Sequence, residues 1–252
     1  MARLEDRVSR LAEVPLAKRE ALARRRIFFG HQSVGGNIVD GMAAVLKARP
    51  LVALSFKKTE RPEDFGTPVF AHAMVGRNRD PYSKIKAFRE ILEGGVGQAA
   101  DIAFLKLCFI DIDRKTDLEA LFRAYEEMVA GLKARFPDLK IVTLTVPLMS
   151  RPMGIRARLS ALLGRAGWYR EDNIQRNRYN EMLRAKFGDS LYDLARTEST
   201  FLDGRRALFS KDGKDYEWLA APYTDDGGHL NALGSRVVAV DLLGYLLSLE
   251  AD

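Results

Sequence analysis

The run Ile102-Ala103-Phe104-Leu105, inside the longer stretch Asp101 to Ile110, constrains the fold most, because it is apolar almost throughout. An exposed antiparallel strand alternates apolar and polar residues. A strand with no polar face must be covered on both sides. Other short apolar runs share this character: Ile27 to Phe29, Leu51 to Phe56, Lys140 to Leu148 and Ser190 to Leu194. Between them lie segments with helical spacing. Residues 38–48 carry Ile38, Met42, Val45 and Leu46 on one side and stop at Pro50. Residues 117–135 carry Leu118, Leu121, Tyr125, Met128, Val129 and Leu132, and Pro137 follows. Further helices are expected over residues 2–22, 84–93 and 173–187, and from near Asn231 to the C-terminus. Residues 57–83 and 196–228 read as loops. Strands alternating with helices predict a parallel sheet with helices on both faces, here with five strands. No internal repeat or linker divides the chain. The 252 residues suit one domain over 1–252, with an N-terminal helix over 1–24 and a possible lid insertion at 149–172. That insertion holds Arg151, Arg156, Arg158, Arg165 and Arg170 among Met153, Trp168 and Tyr169.

Composition narrows the partners. A net charge of +6 and a pI near 9.4 suit an acidic substrate as well as a neutral role for the surface. No aromatic RNA-binding signature, zinc-finger spacing or helix-turn-helix cue points to nucleic acid. No segment is apolar for long enough to span a bilayer. Cys108 is the lone cysteine, so no internal disulfide forms. Its position in a strand, with no neighbouring base, argues against a catalytic thiol. The three histidines lack paired ligand spacing, which argues against a metal site, and Gly94-Gly95-Val96-Gly97 precedes a strand rather than following one. No cofactor is therefore expected. The charged stretch Met1 to Arg26 has no apolar signal core. This suits a cytoplasmic protein, or a periplasmic or secreted one whose signal was removed. Oligomeric state is open.

Two stretches carry the chemistry. In Arg25-Arg26-Ile27-Phe28-Phe29-Gly30-His31-Gln32-Ser33-Val34-Gly35-Gly36 an apolar strand ends in a small, polar turn, with a helix expected from near Asn37. A serine there sits at the carboxyl end of a strand and beside a helix N-terminus, where open α/β sheets bind ligands. A helix N-cap is the plainer role for such a serine. In Thr224-Asp225-Asp226-Gly227-Gly228-His229-Leu230-Asn231, Asp226 and His229 stand three apart before the last helix. A carboxylate at that spacing folds back onto one ring nitrogen and leaves the other free to take a proton from a serine. Turn and cap roles are the plainer alternatives.

These residues resemble the SGNH/GDSL hydrolase superfamily over nearly the whole chain, Ile27 to Leu247. Asp226-Gly227-Gly228-His229-Leu230-Asn231 is similar to its last block, Val75-Gly76-Arg77-Asn78 falls where its second is expected, and Asp101 to Asp111 resembles the strand leading into its third. The resemblance implies a flavodoxin-like, three-layer α/β/α sandwich. It implies a Ser33–His229–Asp226 triad, with an oxyanion hole from the amides of Ser33 and Gly76. For the family's side-chain donor, which this chain lacks, Asn78 and His72 are the candidates, Asn78 preferred because an amide donates at any pH. His31, Gln32, His72 and Asp111 are the expected substrate contacts. The chain departs from the family twice. His31-Gln32-Ser33 replaces Gly-Asp-Ser, and Cys108-Phe109-Ile110-Asp111 replaces Gly-x-Asn-Asp, so the usual oxyanion asparagine is missing. The implied activity is hydrolysis of a small O-acyl ester, acetyl foremost, on a carbohydrate. The alternatives are an O-acyltransferase acting on polysaccharide and a catalytically weakened glycan-binding module. The α/β-hydrolase pattern fits poorly, because its serine lies in Gly-x-Ser-x-Gly and its acid lies far from its histidine.

Overall fold

The computed structural model describes residues 2–151 and 168–250. Six strands form one sheet: β1 (Arg26–His31), β2 (Phe56–Lys58), β3 (Val69–Met74), β4 (Ile102–Leu105), β5 (Lys140–Leu144) and β6 (Leu191–Tyr192). Their order is β2-β3-β1-β4-β5-β6, and every pair is parallel. The period of two along the strands assigns the core to two faces. Ile27, Phe29, Ile102, Phe104, Val142 and Leu144 point one way. Phe28, Ala103, Leu105 and Ile141 point the other. The first face is covered by α1 (Ala2–Glu13), α2 (Leu16–Ala23), α3 (Val34–Ala48) and the last helix, α8 (Ala232–Ser248). The second is covered by α4 (Pro81–Ile91), α5 (Leu118–Arg135) and α6 (Trp168–Phe187). This is the expected three-layer α/β/α sandwich. No described helix is long and apolar enough to cross a membrane.

The sheet has six strands where five were expected. The additional one, β3, lies inside the segment read as a loop, 57–83. It pairs with β1 on one side and β2 on the other, and only Met74 of its six residues is exposed. The expected strand Leu51 to Phe56 contributes only Phe56 to the sheet. The actual edge strand is three residues long and carries Lys57 and Lys58, a common defence of an open edge. The expected helix 2–22 is two helices, because Pro15 lacks the N–H that continuity requires.

The expected strand Lys140 to Leu148 leaves the ladder at Leu144. The Thr145 amide still donates to Tyr192 O at 3.2 Å, and the amides beyond it bond to side chains: Val146 N to Asn180 Oδ1 at 2.7 Å, Leu148 N to Glu198, and Met149 N to Asn173 Oδ1 at 3.0 Å. The second expected loop, 196–228, contains a hairpin of β7 (Leu208–Lys211) and β8 (Lys214–Glu217). It follows a short α7 (Leu194–Glu198). Most of the expected lid, residues 152–167, lies outside the described residues.

Candidate active site

Ser33 stands directly after β1, at φ +50° and ψ −108°. A positive φ on a β-carbon-bearing residue costs of order 1–3 kcal/mol and persists where the surroundings impose it. Here α3 starts at Val34, and Gly35 and Gly36 donate back to the carbonyls of Gln32 and Ser33 at 3.0 and 2.7 Å. Gly35 lies against the His31 ring, since a Cβ there would fall 2.3 Å from the His31 Cβ. The strand–turn–helix is thus tight, and the Ser33 side chain makes no capping bond to the helix.

The Ser33 Oγ is hydrogen-bonded to His229 Nε2. His229 Nδ1 meets Asp226 Oδ2 at 2.6 Å. The other carboxylate oxygen, Oδ1, accepts the amides of Gly228 and His229, each at 2.8 Å. Burial pushes the Asp226 carboxyl up, but the hydrogen bond from the His229 ring and the two amides outweigh it. The net effect holds the carboxyl well below its usual range. A carboxylate at Nδ1 keeps the proton there and leaves Nε2 facing the serine as an acceptor.

The loop holding these groups is itself fastened. Asn231 caps α8 through Gly234 N at 3.0 Å and reaches Pro222 O and Asp225 Oδ1 with its amide. The Gly227 amide donates to Thr224 Oγ1 at 2.9 Å. Phe109 stands edge-on to the His229 ring, 5.7 Å between centroids. Its ring explains Gly228, where a Cβ would come within 2.7 Å of Phe109 Cζ.

Gly76 follows β3 at φ +58°, and a Cβ there would lie 2.5 Å from the Lys84 backbone nitrogen. Gln32 reaches across from the serine turn, its Nε2 donating to Val75 O and Gly76 O at 3.3 and 3.0 Å. The two loops implied to form an oxyanion hole are therefore joined directly. Among the described residues, the amides of Ser33 and Gly76 have no hydrogen-bond acceptor. Asn78, two residues on, is exposed and is bonded by Lys84 Nζ through its Oδ1 at 3.0 Å.

The expected substrate contacts divide differently. His31 is 3% exposed; its Nε2 lies 3.0 Å from His72 Nδ1, and the rings stack. Burial first, then the neighbouring charge of Lys106, pulls its pKa down to about 3, so it is neutral. Gln32 spends its amide on the loop carbonyls. Asp111 is buried against Lys84 at 2.6 Å. His31 is thus enclosed, the Gln32 amide nitrogen is engaged by the loop carbonyls, and the Asp111 carboxylate is engaged by Lys84. His72 is half-buried beside them.

A cavity of about 730 Å³ opens next to Phe109. Tyr82, Phe109, Asp113, Arg114, Asp117 and Arg176 are among its lining residues. Sequence reasoning missed Phe109 and Lys84. The signal for Lys84 was its spacing: Pro81, Lys84, Ile85 and Phe88 share the buried face of α4, so a lysine occupies a core position. Among the described residues no group of three or more His, Cys, Asp or Glu is placed to hold a metal ion.

No protein-family model matches the chain, and no curated protein is similar to it in sequence. Solved structures are similar in fold. One described as a GDSL-like lipase from Parabacteroides merdae superposes with a TM-score of 0.52 at 13% identity, covering 87% of this chain and 94% of that one. One described as an SGNH hydrolase from Slackia heliotrinireducens gives 0.46 at 16% identity, over 87% and 97%. The periplasmic domain of the lipopolysaccharide acetyltransferase of Salmonella ser. Paratyphi A gives 0.48 at 13%, over 85% and 80%. The superposition on the first, together with the six-stranded parallel sheet and its layers, shows that this chain has the SGNH/GDSL-like fold.

Proposed function

We propose that the chain is an SGNH-type serine esterase that removes a small O-acyl group, such as acetyl, from a carbohydrate. The observation that carries this reading is the continuous relay Ser33 Oγ–His229 Nε2 and His229 Nδ1–Asp226 at the head of β1. In the reaction, Ser33 Oγ attacks the ester carbonyl while His229 Nε2 takes its proton. The negative charge gathers on the former carbonyl oxygen, and the amides of Ser33 and Gly76 with the Asn78 side chain donate to it. His229 then gives its proton to the leaving alkoxide, and the C–O bond breaks to leave an acyl-Ser33. Water, deprotonated by His229, attacks this ester and frees the acid and the serine. Asp226 holds the ring orientation and stabilises the imidazolium.

One feature supports a carbohydrate as the alcohol part. The cavity beside Phe109 pairs aromatic surface, Tyr82 and Phe109, with both carboxylates and guanidinium groups. Sugar rings stack on the former, and their hydroxyls both donate to and accept from the latter. The triad is open to water, with the His229 and Asp226 side chains 48% and 41% exposed, which favours water as the acyl acceptor. The test is hydrolysis of a chromogenic acetate ester and of acetylated oligosaccharides, with Ser33→Ala as control. Wild-type turnover abolished by Ser33→Ala is expected. Equal turnover by the variant overturns the assignment of Ser33, and preference for long-chain acyl esters overturns the substrate class.

A further inference from the structure

Lys84 is a fully buried lysine whose ammonium meets a fully buried carboxylate, Asp111, at 2.6 Å. Replacing such a buried pair by apolar residues is often neutral for stability, so the pair itself is weak evidence of a stabilising role. Its geometry suggests another use. The Asp111 carboxylate also accepts the amide of Arg79 at 2.9 Å and that of Cys108 at 2.7 Å. One side chain thereby fastens the loop after β3 to the loop after β4. The Lys84 ammonium has a second acceptor, Asn78 Oδ1, at 3.0 Å. The Lys84 backbone packs against Gly76 so closely that no side chain fits there. The same residue therefore sets two of the three groups assigned to the oxyanion hole.

An ammonium only donates. The Asn78 atom facing Lys84 must therefore be its oxygen, and the NH2 group is turned away from the lysine, on an exposed side chain. Without Lys84 the amide has no such bias and can turn either edge outward. We propose that Lys84 is a positioning residue which acts through Asn78, fixing its amide with the donor edge toward the substrate oxygen. The pair replaces the asparagine absent from Cys108-Phe109-Ile110-Asp111. This inference rests on Ser33 being the nucleophile.

The test compares Asn78→Asp, Asn78→Ala, Lys84→Met and the double variant Asn78→Ala/Lys84→Met. It reads kcat and KM on a chromogenic acetate ester and the rate of Ser33 labelling by a fluorophosphonate, whose phosphoryl oxygen occupies the same hole. Asn78→Asp keeps an oxygen for Lys84 but has no NH2 to donate. It is expected to fold normally and to lose roughly 100-fold in kcat with KM little changed, the scale of one oxyanion donor. Lys84→Met is expected to lower kcat, and the double variant to be no slower than Asn78→Ala. Equal rates for Asn78→Asp and wild type overturn the proposal, as do losses from Asn78→Ala and Lys84→Met that simply multiply. If Lys84→Met does not fold, because Asp111 is left buried without a counter-charge, Asn78→Asp decides alone. Absence of any fluorophosphonate adduct on wild-type Ser33 overturns the esterase reading and this one with it. An adduct that forms equally fast in Asn78→Asp overturns only this one.

Discussion

Replacing Asp226 with asparagine tests the site most sharply, because the outcome follows from hydrogen-bond donors and acceptors alone. Asp226 Oδ1 accepts two backbone N–H groups, from Gly228 and His229, while Oδ2 faces His229 Nδ1 at 2.6 Å. In Asp226→Asn the amide oxygen must take the place of Oδ1, since an NH2 cannot face two N–H donors. The new NH2 then points at Nδ1 and makes that nitrogen an acceptor. The ring proton moves to Nε2, which now donates to Ser33 instead of accepting from it. The base is lost while the shape is kept. A wrong tautomer of this kind costs about 10⁴ in kcat, or about 5.4 kcal/mol of barrier. Stability should change by less than about 1 kcal/mol, because the pair is half exposed and screened by solvent. The assay is steady-state hydrolysis of a chromogenic acetate ester, with thermal unfolding to confirm the fold. A kcat within tenfold of wild type would refute the tautomer argument.

Other outcomes follow from the same contacts. His31 is held near a pKa of about 3 in the fold against about 6.5 in the unfolded chain, so only the unfolded chain takes up a proton as pH falls below 6.5. Its contribution to stability is complete above that pH and is lost progressively towards pH 3, amounting to about 2 kcal/mol at pH 5. Urea unfolding at pH 8 and pH 5 should show that loss in wild type and a smaller one in His31→Asn; identical losses would count against it. Gly228→Ala drives a methyl group into the Phe109 ring and should reduce kcat by tilting His229, while Phe109→Ala in the same chain should restore part of it. Tyr82→Ala removes an exposed ring from the cavity wall. It should raise KM for an acetylated oligosaccharide without changing turnover of a small acetate ester, and an unchanged KM on the oligosaccharide would remove the cavity from the binding site.

What could be read in advance depended on how local the physics was. The layered architecture was legible because strands such as Ile102–Leu105 are apolar on both faces and must be covered on both. Asp226 and His229 were legible because three residues of spacing let them meet without help from the rest of the fold. β3 was not legible. Its longer ladder is with β1, which is distant in sequence, and His72 interrupts its apolar run within a loop-like context. Its position decides that Gly76 arrives beside the serine turn, where Gln32 ties the carbonyls of Val75 and Gly76. Neither the enclosure of His31 nor the ion pair of Lys84 with Asp111 is written in any one segment, for each depends on elements brought together by the sheet order. The sequence by itself determined the layers, the serine turn and the Asp–His pair, since these rest on short-range pattern and spacing. Only the tertiary structure decided that Ser33 meets His229 across 196 residues of chain, and that a buried lysine stands behind Asn78, because long-range packing alone chooses which loops converge.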